Sequence, residues 1–253
     1  MPKIYLSPST QEKNPYITGS GSEEYQMNRI ADALEPYLRS SAIAFDRNRP
    51  DMTAASSIRD ANTRGGYGLY LALHSNASGD GMTEGRQRGI IAFYYPTSTR
   101  GQRAAEIFVD NFKAIYPLPD RVYTRATTAL GEVRQPAFPS VLIEIGYHDN
   151  FADARWIEDN TNAIAEVLAL SITEYFGIPF ITPITPFEAT VSVSWGTLNL
   201  RSYPSTDAVI LADLPAGAAL TVYGEYQGWY VVHYQGHIGY AAAQYIRAYS
   251  YFS

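Results

Sequence analysis

Short apolar runs alternate with amphipathic stretches through the first 175 residues of the chain. The apolar runs have the length of buried strands, and they lie at 4–6, 43–45, 68–74, 89–95 and 141–144. Between them, apolar residues recur at helical spacing in stretches that cover 22–39, 58–62, 102–115 and 152–175. This alternation predicts an α/β domain built on a twisted, mostly parallel sheet with helices on both faces. The stretch 120–140 is predicted to be irregular, with a possible short edge element at 130–133.

Two of the predicted strands deliver an ionisable residue at their carboxyl ends. His74 ends the third strand and Glu144 follows the last one, while the Ser7–Gln11 turn ends the first. Glu23 and Glu24 open the first helix, where acidic residues also favour the helix dipole. In an open α/β sheet, ligands gather at the carboxyl edge of the strands. His74 alone could equally be a hydrogen-bonded core residue, but the second strand favours a functional site.

Residues 178–188 contain three prolines and show no helical period, which predicts a semi-rigid linker. From residue 189 onward, short strand-like runs separated by turn signals predict a small all-β barrel. The predicted organisation is therefore a first domain at 1–177, a linker at 178–188 and a second domain at 189–253. The second domain holds more aromatic residues than so small a core can bury, which predicts an aromatic binding face.

The amino-acid composition limits which reactive groups and metal ligands the chain can provide. The chain has 253 residues, a net charge of -6 and no cysteine. Disulfides, thiol nucleophiles and cysteine-based zinc sites are excluded, so a metal would need histidine, carboxylate or neutral oxygen ligands. The acidic balance provides no general attraction for nucleic acid. We also expect no membrane insertion and no Sec signal, because no segment is long enough to span a bilayer and no apolar leader follows Met1.

One histidine and two carboxylates at a sheet edge could hold a zinc ion with an open coordination position. A carboxylate outside the metal shell would then serve as general base.

Several segments of the first domain resemble the zinc-dependent N-acetylmuramoyl-L-alanine amidases of the amidase-3 family. The resemblance spans residues 3 to 176 and is carried, in the expected order, by Ile4–Pro8, Glu23 with Ile30–Leu34, Arg59 with Ala61–Asn62, Leu73–Ala77, and Val141–Tyr147 with Asn150. It implies that Glu23 and His74 are zinc ligands and that Glu144 takes the proton from the attacking water. Glu24 is the alternative to Glu23 if the register differs by one, and Asn76 is expected to face the substrate.

The chain departs from this family at one metal ligand. The family places another zinc histidine just after the first strand, where this chain has Thr10 and Gln11. Gln11 is the predicted third ligand, although its amide oxygen is a poorer zinc ligand than imidazole. Thr10, His148 and water remain alternatives. For His148, the favoured interpretation is a surface or substrate-facing histidine.

The carboxyl-terminal segment is similar to bacterial SH3-like (SH3b) domains. The similarity is carried by Leu198–Arg201, Ser202–Ser205, Leu214–Gly217, Gly228–Tyr230 and Ile238–Tyr240. It implies a module that binds cell-wall peptide or glycan. Tyr203, Tyr223 and Tyr226 are the predicted groove residues.

The sequence therefore predicts a peptidoglycan hydrolase of the endolysin or autolysin type. It would use Zn²⁺ to cleave the amide bond between N-acetylmuramic acid and L-alanine, and its second domain would target it to the wall. Lacking a leader, it would leave the cytoplasm by lysis, a holin or another non-Sec route. A non-catalytic peptidoglycan-binding protein with a degenerate metal site is the alternative, and a metal hydrolase acting on free peptides is a third possibility.

Overall fold

The structure is a computed structural model that describes residues 2–79 and 83–249. Part of the glycine-containing segment 79–85 and the last four residues of the predicted second domain lie outside the described residues. The chain divides into two compact units. The first unit comprises Lys3–Leu34 and Phe45–Phe176, and the second is formed mainly by Glu35–Ala44 and the chain from Gly177 onward.

The elements up to residue 176 alternate between strand and helix along most of their length. The strands are β1 (Lys3–Pro8), β2 (Ala44–Arg47), β3 (Leu69–Asn76), β4 (Ile90–Tyr94), β5 (Val122–Ala126) and β6 (Ser140–Tyr147). The helices are α1 (Glu23–Ser40), α2 (Ala54–Arg64), α3 (Thr99–Lys113), α4 (Gly131–Arg134), α5 (Phe151–Asp159) and α6 (Thr161–Phe176), with a short 3-10 helix at Pro119–Arg121.

The strands form one six-stranded sheet in the order β2-β1-β3-β6-β4-β5. β1 pairs with β3 and β3 with β6 in parallel, whereas β4 is antiparallel to β6 and carries β5 parallel to itself. The α/β prediction is confirmed, and the sheet is mixed, with β4 and β5 as a reversed pair at one edge.

Both faces of the sheet are buried, which explains the continuous apolar character of the central strands. On one face, Tyr5, Tyr70 and Leu142 pack against Ile58 of α2 and Val133 of α4. The alternate strand residues, which point to the other face, are fully buried as well: Ile4, Leu6, Leu69, Leu71, Leu73 and Ile143. His74 and Glu144 follow the period of the first face, so both project toward the side covered by α2 and α4.

Two sequence predictions for the first unit are wrong in detail. The stretch 120–140 is not irregular, since it contains β5 and the single helical turn α4 in place of the expected edge element. The predicted helix at 152–175 is two helices that break at Asn160. The Asn160 amide side chain donates to the carbonyl of Trp156 at 2.8 Å, so it competes for a carbonyl at the end of the first helix.

The second unit contains an all-antiparallel seven-stranded sheet in the order β13-β7-β10-β11-β12-β8-β9. Its strands are β7 (Phe187–Val191), β8 (Thr197–Arg201), β9 (Ile210–Pro215), β10 (Ala219–Tyr226), β11 (Trp229–Tyr234), β12 (His237–Ala242) and β13 (Ile246–Ala248), with a 3-10 helix at Ala243–Tyr245. The prediction of a small all-β domain is confirmed. β7 and β13 were not predicted, and β7 begins inside the predicted linker at 178–188.

Within residues 2–79 and 83–249, no helix has the length and apolar character needed to cross a membrane.

Candidate active site

His74 lies at the carboxyl end of β3 between two carboxylates. Its Nδ1 is 2.8 Å from Oε1 of Glu23, and its Nε2 is 2.8 Å from Oε2 of Glu132. All three side chains are buried, with residue exposures of 8% or less. The sequence predicted that Glu23 and His74 share a site, but it did not predict Glu132.

Glu23 lies close to His74 because Glu23 is the first residue of α1. Ser22 caps the helix, since its Oγ accepts from the backbone nitrogen of Tyr25 at 3.2 Å. The backbone nitrogen of Glu23 donates to the carbonyl of Asn14, and the Asn14 amide donates to Glu23 Oε2 at 2.8 Å. The polar loop before α1 is thereby tied to the helix start, and the carboxylate is held at the sheet edge.

Glu132 is a site residue that the sequence analysis missed. It lies on α4, where Val133 is buried in the core and Leu130 packs against it. Leu130 and Val133 are spaced three apart, and that helical spacing was the available signal for a buried turn at this position. Oε1 of Glu132 accepts from the hydroxyls of Ser7 and Tyr70, both at 2.7 Å, so the second oxygen is left for His74.

Glu144 stands beside His74 on the neighbouring strand, because β3 and β6 pair in register at these two residues. One residue later the register shifts, so that Asn76 pairs with Tyr147, and Gly146 takes a φ of 73° in the irregularity. Oε2 of Glu144 is buried and has no hydrogen-bond partner among the described residues. Burial raises the pKa of Glu144 to about 7, although the charge of His74 opposes the shift; the charges of Glu23 and Glu132 add smaller increases.

The other three groups are held in their charged forms. Burial alone would lower the pKa of His74, but hydrogen bonds to Glu132 and Glu23 raise it well above its usual value. Burial would also raise the pKa of each carboxylate, yet hydrogen bonds from His74 lower the pKa of Glu23 and of Glu132. The site is therefore a charged triad beside one carboxyl group that titrates near neutrality.

Within the described residues, no three His, Cys, Asp or Glu side chains are arranged to hold a metal ion. Gln11 lies beside two of these side chains: its amide nitrogen is 3.2 Å from Glu23 Oε1 and 3.3 Å from His74 Nδ1. A half-turn of the terminal amide exchanges its nitrogen for its oxygen. Ligands of a tetrahedral zinc ion lie about 3.3 Å apart, which both Gln11 distances match. Glu23 Oε1 and His74 Nδ1 are 2.8 Å apart, so these two atoms would need to separate by about 0.5 Å for the three groups to fit one ion. The oxygen of Glu144 that has no hydrogen-bond partner among the described residues is consistent with a polar ligand, such as a water molecule, bound at this site.

Two of the alternative ligands, Glu24 and His148, have contacts outside this donor set. The carboxylate of Glu24 accepts from the amide of Asn28 at 3.3 Å, and Thr10 is half-buried. His148 is only 2% exposed, and its Nδ1 is 2.8 Å from the carbonyl oxygen of Ser75. His148 is therefore not a surface residue, because its ring stacks on Tyr16 and lies against a backbone acceptor; that it faces the substrate stays a prediction.

A groove of about 740 Å³ lies in the second unit. Three aromatic residues line it, Trp195, Trp229 and Tyr245, together with polar residues that include Asn199, Arg201 and Gln244. Trp195 is 88% exposed.

The predicted groove tyrosines are not among the described residues that line this groove. Tyr226 packs on the buried cluster around Tyr240, and Tyr223 lies in a separate cleft beside Pro183. Tyr203 is 43% exposed, with its ring centroid 6.5 Å from that of Tyr240.

Comparison with known proteins agrees with this arrangement. The family described as N-acetylmuramoyl-L-alanine amidase matches residues 4–174, and the bacterial SH3 domain family matches residues 196–247. A search of curated protein sequences found no match.

Solved structures share the fold of the first part of the chain. The catalytic domain of CwlV, an N-acetylmuramoyl-L-alanine amidase from Bacillus (Paenibacillus) polymyxa var. colistinus, is 18% identical with a TM-score of 0.61, and the match covers 71% of this chain and 100% of that one. The CwlD amidase from Clostridioides difficile, solved with the GerS lipoprotein, is 16% identical with a TM-score of 0.60, over 70% and 99% of the two chains. The catalytic domain of the CD27L endolysin, which targets Clostridia difficile, is 20% identical with a TM-score of 0.54, over 69% and 98%.

The two family matches support peptidoglycan amidase activity for the first part of the chain and wall binding for the second. By the match over residues 4–174, the chain belongs to the N-acetylmuramoyl-L-alanine amidase family.

Proposed function

We propose that the chain cleaves the amide bond between the lactyl group of N-acetylmuramic acid and L-alanine of the stem peptide, and that it acts at the bacterial cell wall. The observation that carries this proposal is the pair formed by His74 and Glu144 at the ends of β3 and β6. Glu144 presents a buried oxygen that lacks a hydrogen-bond partner among the described residues. An acceptor of this kind is what the activation of a water molecule requires.

Gln11, Glu23 and His74 are the proposed zinc ligands, with Gln11 presenting its amide oxygen. The ion, when bound, would polarise the scissile carbonyl and make water a stronger nucleophile. The chain's own contribution is to hold this donor set. Asn14 donates to both Gln11 and Glu23, at 3.0 and 2.8 Å, so the loop that carries Gln11 is fixed against α1.

Glu144 is the proposed general base. Its Oε2 would accept the proton of the attacking water and later return it to the departing α-amino group of L-alanine. A pKa near 7 suits both transfers, because such a carboxyl group accepts and releases a proton at neutral pH. Burial also keeps bulk water from competing for that oxygen.

The second unit is the proposed wall-binding module, with glycan and stem peptide of peptidoglycan as its partners and no role for nucleic acid. The groove formed by Trp195, Trp229 and Tyr245 supports this assignment, because exposed aromatic side chains around a concave surface are typical of ligand sites. Its polar residues would orient the ligand.

The test compares wild type with Glu144→Gln on purified peptidoglycan, with added zinc, by the release of free L-alanine amino groups. We expect turnover to fall by about 10²- to 10⁴-fold in Glu144→Gln, the usual contribution of a general base. Glu24→Gln is the control, since this neighbouring carboxylate contacts Asn28 and should leave turnover unchanged. Equal activity of wild type and Glu144→Gln would overturn the proposed mechanism.

A second candidate is a peptidoglycan-binding protein without catalysis. It is favoured by one observation, the amide of Gln11 at a position where the family resemblance implies an imidazole. Binding to peptidoglycan by wild type, with no amide cleavage and no zinc uptake, would establish this second function instead.

A further inference from the structure

Glu132 is a buried carboxylate, and each of its two oxygens has a hydrogen-bond partner. It is 5% exposed, and its Oε1 accepts from Ser7 and Tyr70 at 2.7 Å each. Asn48 in turn donates to Ser7 Oγ at 3.3 Å. Burying a carboxylate costs free energy unless strong hydrogen bonds compensate it. The two hydroxyl donors therefore fix the plane of the carboxylate and aim Oε2 at His74.

The two ring nitrogens of an imidazole point away from each other, so they cannot both face the same ion. Nδ1 of His74 faces Glu23 and the amide of Gln11, whereas Nε2 faces Glu132 at 2.8 Å. A metal ion bound by Glu23 and Gln11 must therefore be bound by Nδ1 of His74 and not by its Nε2. A proton on Nε2, donated to Glu132, leaves the lone pair of the neutral ring on Nδ1.

We propose that Glu132 is a positioning residue that holds His74 by its Nε2–H and thereby keeps Nδ1 directed at the zinc site. This inference rests on the proposed function, since it concerns the same site. Partners of this kind orient a metal-bound histidine and increase its basicity, and their loss usually costs about 10- to 100-fold in metal affinity. The role is separate from catalysis, because Glu132 lies on the side of the ring opposite Glu23.

The test uses the full chain with Glu132→Ala and two readouts. The first is the zinc dissociation constant from competition with a chelating dye, which we expect to rise by about 10- to 100-fold. The second is the ¹H–¹⁵N NMR signal of the His74 imidazole in the zinc-free protein. We expect a downfield Nε2–H signal in wild type, protected by Glu132, and its loss in Glu132→Ala.

Glu158→Gln is the matched control, because that carboxylate accepts from Thr18 and Ser20 and does not touch His74. It should leave both readouts at wild-type values. If Glu132→Ala does not fold, Glu132→Gln keeps the volume and one acceptor, and it should give a smaller rise in the dissociation constant and a shifted Nε2–H signal.

Unchanged zinc affinity and an unchanged Nε2–H signal in a folded Glu132 variant would overturn the proposal. Equal losses in Glu158→Gln would also overturn it, since the effect would not be specific to His74. If wild type binds no zinc, the proposed metal site fails, and the NMR signal alone then decides whether Glu132 holds the ring.

Discussion

Folding buries Glu144 and thereby disfavours the ionised form of its carboxyl group. Its folded-state pKa of about 7 lies above the value of 4.5 for a free glutamate, chiefly because the group is buried. A carboxyl group with a raised pKa binds its proton more tightly when folded, so its contribution to stability is full below pH 4.5. That contribution is lost as the pH rises through about 7. At pH 8 the ionised group then costs on the order of 3 kcal/mol of unfolding free energy.

We therefore predict that Glu144→Gln is more stable than wild type at pH 8, by up to that amount, and that the gain shrinks toward pH 4.5. The measurement is urea unfolding of the zinc-free protein at both pH values, followed by a probe of the first unit. A Glu144→Gln variant that is less stable than wild type at pH 8 would contradict the argument.

The pKa of Glu144 also predicts how turnover depends on pH. A general base must be unprotonated, so kcat/KM should fall about tenfold per pH unit below about 7. The check is a profile of kcat/KM from pH 5 to 8. A flat profile in wild type would contradict the role of Glu144, and the residual activity of Glu144→Gln should lack this limb.

Single residues differed in how well the sequence predicted them. His74 and Glu144 were found because each ends an apolar run, and strand ends meet at one sheet edge. Glu132 was not found, because its contact with His74 joins residues 58 positions apart, and the helix that carries it is a single turn, with only the spacing of Leu130 and Val133 to indicate it. The burial of His148 was also missed, since it depends on Ser75, which lies on another strand.

At the scale of elements, Asp153 of α5 ties together the ends of β4 and β6. It is fully buried, and its Oδ1 accepts from Arg88 at 2.7 Å and from the hydroxyl of Tyr116 at 2.6 Å. Its Oδ2 accepts from the backbone nitrogens of Gly89 and Tyr147, both at 3.1 Å. One carboxylate thus completes the backbone hydrogen bonding where β4 begins and where β6 ends beyond Glu144.

We predict that Asp153→Ala destabilises the first unit by roughly 3 to 5 kcal/mol, the usual cost of removing one partner from a buried charged network. Asp159→Ala is the control, because this residue is exposed on the same helix. Urea unfolding of both variants measures the difference. Equal stabilities of the two variants would show that the network contributes nothing beyond helix propensity.

Element type followed from the sequence more readily than strand direction did. Apolar runs and helical periods predicted β1, β3, β4, β6 and the long helices, because those patterns are local. The antiparallel direction of β4 has no local signature, since it depends on β4 joining the sheet beside β6 rather than beside β3. β13 is three residues long, too short for any period to be evident.

At the scale of the whole molecule, the chain combines a hydrolase unit with a second unit that carries its own groove. Attaching a binding module to a hydrolase raises the local substrate concentration on a polymer without changing the active site. The two units should therefore be separable by experiment. Loss of the groove should reduce action on intact wall material and leave the hydrolysis of small soluble substrates unchanged.

Trp195 is the residue to change, because it lines the groove and is 88% exposed, so its loss should not disturb the core. We predict that Trp195→Ala weakens binding to purified sacculi in a co-sedimentation assay by at least tenfold, since stacking aromatic residues dominate such contacts. Turnover of a soluble muramoyl peptide should stay at the wild-type rate. Tyr249→Ala is the matched control, because this tyrosine is 45% exposed and is not among the described residues that line the groove. Equal loss of sacculus binding in both variants would indicate a diffuse aromatic surface, and unchanged binding in Trp195→Ala would place the wall contact outside this groove.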